Sequence, residues 1–454
     1  MVVNFLTEAL YDKTAATVKD TNLIPLDRVA VIVLSGGEGT RLKPLTHARC
    51  KPAMSFGGKY SLIDIPISHS LSTGLSKIFV IGQYLALSLQ KHLFETYLHH
   101  GISQNQIQML VPEEREGKTV CYKGTADAIR QNLNLFSEVD ADYFLILSGD
   151  QLYNINFQKM INFGIEADAG MLIAVQPVSK KEAKRMGLLK IETGGSRIFD
   201  FYEKPQEEAI LERFFTDQST LEKLGYSGGK NYLGSMGIYF FKRQTLFDLL
   251  KEDPREDFGK HLIQTQLNKK DVHAFLYDGY WEDIGTIESY YLANMALTQK
   301  DKNRKTGFLC YDEAHAIINK QHNLPGVKVS NCTLNQSILC DGAIIEAKEI
   351  TNSVIGVRSV IRKGTVVRDC VVVGNEYYER PPLLAGEKAH CPEIGADCLI
   401  EKSIIDENVT IGDNVKLVNK HGHVNFDSPD GLFVVRDSII VIPRGSHIPS
   451  NYIF

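Results

Sequence analysis

In the last third of this chain, apolar residues recur every six positions. Ile355, Ile361, Val367 and Val373 form one run, with Val354, Val360, Val366 and Val372 beside them. Leu399, Ile405, Ile411 and Leu417 repeat the period, as do Ile338, Ile344 and Ile350. An amphipathic helix returns to the same face about every 3.6 residues, so it does not carry this pattern. A chain that runs straight for a few residues, turns and comes back does carry it, and the result is a parallel β-helix with three short faces per coil. Gly356, Gly374, Gly395 and Gly412 each follow an apolar residue directly. Residues 375–393 interrupt the period and are expected to form a loop.

The preceding part of the chain obeys a different rule. From Arg28 to about Lys300, apolar runs alternate with amphipathic stretches. The runs 29–34, 77–81, 143–147, 171–177 and 236–241 are expected as strands, and 126–136, with Ala126, Ile129, Leu133 and Phe136 at helical spacing, as a helix between two of them. Such alternation predicts a doubly wound, mostly parallel α/β sheet. Ligands of such sheets bind at the carboxyl ends of the strands. The expected divisions are an extension over 1–27, an α/β domain over 28–300, a polar, aperiodic linker over 301–324, and the β-helix over 325–454. At 454 residues the chain exceeds one ordinary core.

Composition narrows the function classes. Apolar residues make up 43% and charged residues 23%, as in a water-soluble globular protein, and the net charge of −5 argues against a nucleic-acid partner. No run of eighteen apolar residues predicts a membrane span, and the first 26 residues do not have the form of a secretory signal. None of the eight cysteines forms C-x-x-C, so reduced thiols in a cytoplasmic protein are expected rather than a zinc site.

The chemistry begins at Ser35-Gly36-Gly37-Glu38-Gly39-Thr40-Arg41-Leu42, directly after the apolar run 29–34. A glycine-rich turn at a strand end lets backbone N–H groups approach an anion closely. The spacing is neither a P-loop nor a dinucleotide fingerprint. Arg41 follows the last glycine by two, and Lys51 adds a second cation. A loop with two cations suits a nucleoside triphosphate. Asp150 follows the apolar run 143–147 at the same sheet edge.

Gly36 to Thr46 with Lys51-Pro52-Ala53 resembles the sugar-1-phosphate nucleotidyltransferases. Further runs match in order: Lys123-Gly124-Thr125-Ala126-Asp127-Ala128, Leu147-Ser148-Gly149-Asp150, Phe201-Tyr202-Glu203-Lys204-Pro205, Gly234-Ser235-Met236-Gly237-Ile238-Tyr239 and Tyr280-Trp281-Glu282-Asp283-Ile284-Gly285-Thr286. Together they resemble the glucose-1-phosphate adenylyltransferases, from about residue 28 almost to the C-terminus. The resemblance implies a nucleotidyltransferase sheet followed by a left-handed parallel β-helix of hexapeptide repeats. It implies transfer of AMP from ATP to glucose 1-phosphate, with Mg²⁺, for glycogen or starch synthesis, by a homotetramer.

By the same resemblance, Arg41 holds the β- and γ-phosphates, Lys51 lies near the α-phosphate, and Asp150 and Asp283 are the metal ligands. Gly36, Gly37, Gly39, Thr40, Gln83 and Gly124 surround the nucleotide. Tyr122, Gly187, Glu203, Lys204, Ser235, Gly237 and Tyr239 are expected around the substrate, Lys204 on the sugar phosphate and Glu203 on sugar hydroxyls. Trp281, the only tryptophan, is expected to pack. Lys420, in a context like that of the plant and cyanobacterial type, and Arg444 are expected to bind phosphorylated effectors.

The chain departs from the common pattern at Cys121, where relatives often have tryptophan, and at Ala48 and Ser61, where many have cations that contact effectors. Two other activities compete with the main reading: the same transfer from another nucleoside triphosphate, and a regulatory subunit of weak activity. Many hexapeptide-repeat proteins are acyltransferases with a histidine base, for which this chain offers His390, His421, His423 and His447.

Overall fold

The strand Val29–Ser35 shows how the first domain is built. Val29, Val31 and Val33 point into one apolar cluster, Ala30 and Ile32 into another, and all five are buried. A strand buried on both faces needs cover on both sides of its sheet. On one side lie the helices Asp64–Ser72, Ala86–Tyr97 and Phe157–Glu166; on the other lie Thr125–Gln131 and Arg243–Glu252. The computed structural model describes residues 26–115, 118–119, 121–299, 307–313, 316–381 and 389–454. All but the last two residues of the expected 1–27 extension lie outside these.

Val29–Ser35 pairs in parallel with Lys77–Gly82 on one side and Tyr143–Ser148 on the other. The nine-stranded sheet continues in the same sense apart from Ile198–Glu203 and Tyr232–Lys242, which run the other way. The sheet is therefore mixed but mostly parallel. The strand expected at 236–241 extends over Tyr232–Lys242, and it bulges: Tyr239 faces Ile173 while Ser235 faces Val175. Gly237, in the left-handed region at φ 70°, allows the extra residues to be absorbed.

The helix expected over 126–136 is two helices, Thr125–Gln131 and Leu133–Glu138. Asn132 breaks them at φ −103°, ψ 10°, and its side-chain amide donates to Ala128 O and Tyr122 Oη. Asparagine competes for backbone partners in this way, which helical spacing of apolar residues does not reveal.

The C-terminal domain is a parallel β-helix. Lys328–Val329, Ile344–Ile345 and Val360–Ile361 stack on one face; Thr333–Asn335, Glu349–Thr351, Val366–Arg368, Leu399–Glu401 and Lys416–Leu417 on the second; Ile338–Leu339, Val354–Ile355, Val371–Val372 and Ser403–Ile405 on the third. Corners are turned by Asn352, Asp369, Lys402 and Asn419, all at positive φ. The stacked apolar positions form a separate core that includes Ile345, Ile361, Val367, Ile400 and Leu417.

The two domains share apolar surface. Val354, Val371, Ile404 and Val441 of the β-helix join the core that holds Ile287 and Tyr290, and Tyr291 Oη donates to Asp369 O at 2.8 Å. The described part of the expected linker is also anchored: Phe308 and Ile317 are buried, Ile318 N donates to Ser68 Oγ, and Lys320 pairs with Glu95. Its polar composition hid two apolar anchors. All eight cysteines are unpaired, and no helix among the described residues is long and apolar enough to cross a membrane.

Candidate active site

A cavity of about 810 Å³ opens at the carboxyl edge of the sheet. The glycine turn forms part of its wall. A Cβ on Gly36 or Gly37 would meet nothing within 4 Å, so backbone there faces free space. Gly39, at φ 68°, caps the short turn Thr40–Leu42, and Thr46 Oγ1 donates to its carbonyl at 2.9 Å. Gly39, Thr40 and Arg41 stand behind the wall rather than in it.

Asp150 and Asp283 are brought together by backbone. Tyr143–Ser148 ends beside Ser35, and Gly149 N donates to Leu34 O. The chain then enters Gln151–Tyr153, which pairs antiparallel with Trp281–Asp283, and Ile284 N donates to Asp150 O. Lys51 Nζ lies 2.5 Å from Asp150 Oδ2 and 3.6 Å from Asp283 Oδ1, while Ser148 Oγ donates to the other Asp150 oxygen. Arg41 Nη2 and Asp283 Oδ2 flank Gly285, each within 3.3 Å of where its Cβ would be. Arg41 and Lys51 thus both act on Asp283.

The electrostatics follow from this crowding. Burial and the neighbouring Asp150 raise the Asp283 carboxyl above its ordinary range, against the pull of Lys51 and Arg41. Burial disfavours the Lys51 ammonium, but Asp150 and Asp283 outweigh it and raise its pKa. A cation between two carboxylates marks a place where positive charge is welcome. Among the described residues no group of three or more metal-ligating side chains occurs. A pair of carboxylates with the rest of the shell from phosphates and water is how Mg²⁺ is commonly held.

Gln83 and Gly124, expected around the nucleotide, both line the cavity. Gln83 Oε1 accepts from Tyr122 N at 2.6 Å. Gly124 is required sterically: a Cβ there would come within 2.4 Å of Glu256 O, the carbonyl that accepts from Ala126 N and Asp127 N.

The same wall holds the other expected group. Gly187 pairs with Glu203 in register, and its missing Cβ leaves room for Phe201 and the Glu203 carboxylate. Lys204 has φ 48°, although a residue before proline favours extended backbone. This turns its side chain off the strand, where Nζ lies 3.2 Å from Glu203 Oε1. Ser235, Gly237 and Tyr239 line the wall through the bulge, and Tyr239 also packs on Phe241 and Phe258.

Several lining residues escaped the sequence reading: Gln151, Gln176, Glu182, Arg185 and Glu282. Gln151 and Glu282 adjoin Asp150 and Asp283, which was the available signal. Burial and Asp283 push the Glu282 carboxyl up to about 6. Trp281, expected to pack, packs and also lines the cavity.

The expected effector cations differ from each other. Lys420 is exposed, and among the described residues it has no ion pair. Arg444 pairs with Glu376 at 2.5 Å and Glu407 at 2.7 Å. Of the β-helix histidines, His390 bonds Tyr377 Oη and Thr410 Oγ1, while His423 stacks on Phe426 and Phe454.

Residues 30–300 match the nucleotidyl transferase family model, which covers more than half of the chain and contains every residue of the cavity wall. Residues 322–453 match the model of the GLGC left-handed parallel beta-helix domain. The pairing is the architecture of sugar-phosphate nucleotidyltransferases like the glucose-1-phosphate adenylyltransferases. This chain belongs to the nucleotidyl transferase family and carries that β-helix domain behind its catalytic fold.

Proposed function

We propose that this protein is a glucose-1-phosphate adenylyltransferase, transferring AMP from ATP to glucose 1-phosphate and releasing pyrophosphate. The product, ADP-glucose, would serve as glucosyl donor for an α-glucan. The observation that carries the reading is a single cavity wall. The Lys51–Asp150–Asp283 cluster shares that wall with Gln83 and Gly124 and with the Glu203–Lys204 pair.

In the reaction, an oxygen of the sugar phosphate attacks the ATP α-phosphorus, and the bond to the β-phosphate oxygen breaks. The attacking phosphate is already anionic, so no general base is needed. The work is to hold two anions together and in line. Lys51 neutralises charge near the α-phosphate and Lys204 holds the sugar phosphate against Glu203, while Arg41, exposed behind the cavity wall, would turn inward to meet the leaving pyrophosphate. Asp150 and Asp283 would hold a divalent cation, which supplies Lewis-acid charge neutralisation when bound. Lys420 remains the candidate for a phosphorylated effector, Arg444 being engaged by two carboxylates, and we expect a homotetramer.

The test is pyrophosphate release from ATP and glucose 1-phosphate with Mg²⁺, for the wild type and Asp150→Asn. Release abolished by the substitution supports the reading. Release only with another triphosphate would overturn the ATP assignment. Silence with every triphosphate would overturn catalysis.

A further inference from the structure

The bulge in Tyr232–Lys242 has a cost. Between Ser235 and Tyr239 the strand leaves its pairing with Met171–Val178, so the Met236 carbonyl has no strand partner. A buried carbonyl left without a donor destabilises the fold. The donor here is a side chain from another sheet. Gln151 Nε2 donates to Met236 O at 2.9 Å, and Gln151 Oε1 accepts from Trp281 Nε1 at 3.2 Å. Gln151 is 7% exposed, and its backbone lies opposite Asp283. Its amide nitrogen is also the nearest atom to the space beside Gly237, at 3.6 Å.

One buried amide therefore touches three parts of the site: the bulge with Ser235 and Gly237, the strand with Asp283, and, through its own backbone, Asp150. We infer that Gln151 is a positioning residue that locks the sugar-pocket bulge to the strand carrying Asp283, so that sugar-phosphate binding and placement of the two carboxylates form one geometry. Gln151 donates on one side and accepts on the other, which hydrophobic packing does not replace. The ribbon Gln151–Tyr153 with Trp281–Asp283 is a separate two-stranded sheet, so no ladder bond to the main sheet does this work. The inference rests on the reading of the bulge as part of the sugar pocket.

The test uses the full-length protein with Gln151→Leu and Gln151→His. Leucine keeps the bulk and removes both bonds. A neutral imidazole presents one donor and one acceptor, as the amide does. For Gln151→Leu, the KM for glucose 1-phosphate is expected to rise about tenfold and kcat to fall about tenfold, with the KM for ATP within about twofold, the scale of one or two lost hydrogen bonds. Gln151→His is expected to recover most of both. Trp281 is the only tryptophan, so its emission reports directly on loss of the acceptor and should shift in the leucine variant alone.

A leucine variant with both KM values unchanged and only a lower melting temperature would reduce Gln151 to a structural role and overturn the inference. A folded histidine variant as impaired as leucine would also overturn it. Calorimetric titration with glucose 1-phosphate separates the two readings. Wild type that binds no sugar phosphate defeats both the function and the inference. Equal binding by wild type and Gln151→Leu defeats the inference alone.

Discussion

Arg49 and Asp406, 357 positions apart in sequence, form a buried ion pair where the two domains meet. The arginine is 6% exposed and the aspartate 2%. Glu407 adds a second carboxylate 2.8 Å from Arg49 Nη1, and Arg444 and Glu376 extend the cluster. Burial and Glu407 raise the Asp406 carboxyl above its ordinary range, against the pull of Arg49. Arg49 stands two positions before Lys51, so the β-helix grips the segment that supplies the central cation of the site.

Removing one member of such a pair is worse than removing both. Arg49→Met should cost about 3–5 kcal/mol by leaving Asp406 buried and unpaired. Arg49→Met with Asp406→Leu should recover much of that loss. Melting temperatures of the two singles and the double make the measurement. A double variant equal to the sum of its singles would show that the two side chains do not interact. Arg49→Met should also slow turnover, because it loosens the segment before Lys51.

Lys51→Met should lower kcat by about 10²–10³, the scale for losing one preorganised charge at the reacting centre. It should also leave a trace in the pH profile. Lys51 lowers the Asp283 pKa, so its loss lets that carboxyl rise further. The acid limb of kcat/KM should therefore move to higher pH in the variant. A limb that stays in place would separate Lys51 from Asp283.

Much of this was legible from local pattern. The six-residue period gave the β-helix because each face contributes one short apolar step, and the same step is stacked in every coil. The glycine turn, Asp150 and Asp283 could be brought to one place from sequence because each follows or adjoins a short strand that ends at the same cavity wall. What stayed hidden depends on non-local partners. Nothing near Arg444 in sequence announces Glu376 and Glu407, so it read as a free cation. Gln151 became visible only once the bulge left Met236 O without a strand partner. Asn132 looked like a helical residue until Tyr122 and Ala128 were seen to share its amide.

His322 predicts a weakness in mild acid. Burial and the nearby Arg358 and Lys320 lower its pKa to about 4, and Arg358 Nη1 lies 3.3 Å from its Nδ1. Between the unfolded value of about 6.5 and that folded value, the unfolded chain binds more protons, so stability falls as pH drops through this window. The side chain is partly exposed, and with solvent screening the loss should be about 1–2 kcal/mol. His322→Gln keeps an acceptor for Arg358 without titrating. Melting curves from pH 7.5 to 5 should diverge, the wild type losing more. Parallel curves would mean that His322 is protonated in the folded protein as it is in the unfolded one.

Two glycines of the cavity wall, Gly187 and Gly36, should respond to the same substitution in different ways. A Cβ on Gly187 would lie 2.4 Å from Phe201 Cζ and 2.7 Å from Glu203 Oε2. Phe201 is buried and has little room to yield, so the carboxylate should be displaced. Gly187→Ala should lower the melting temperature and raise the KM for glucose 1-phosphate about tenfold, with little change for ATP, as expected for overpacking beside one binding group. A Cβ on Gly36 would meet nothing within 4 Å, and its φ is not positive. Gly36→Ala should therefore leave the melting temperature unchanged. The methyl would instead occupy space that the triphosphate needs, raising the KM for ATP and sparing the sugar phosphate. If both variants raise the same Michaelis constant, the two glycines do not serve different substrates.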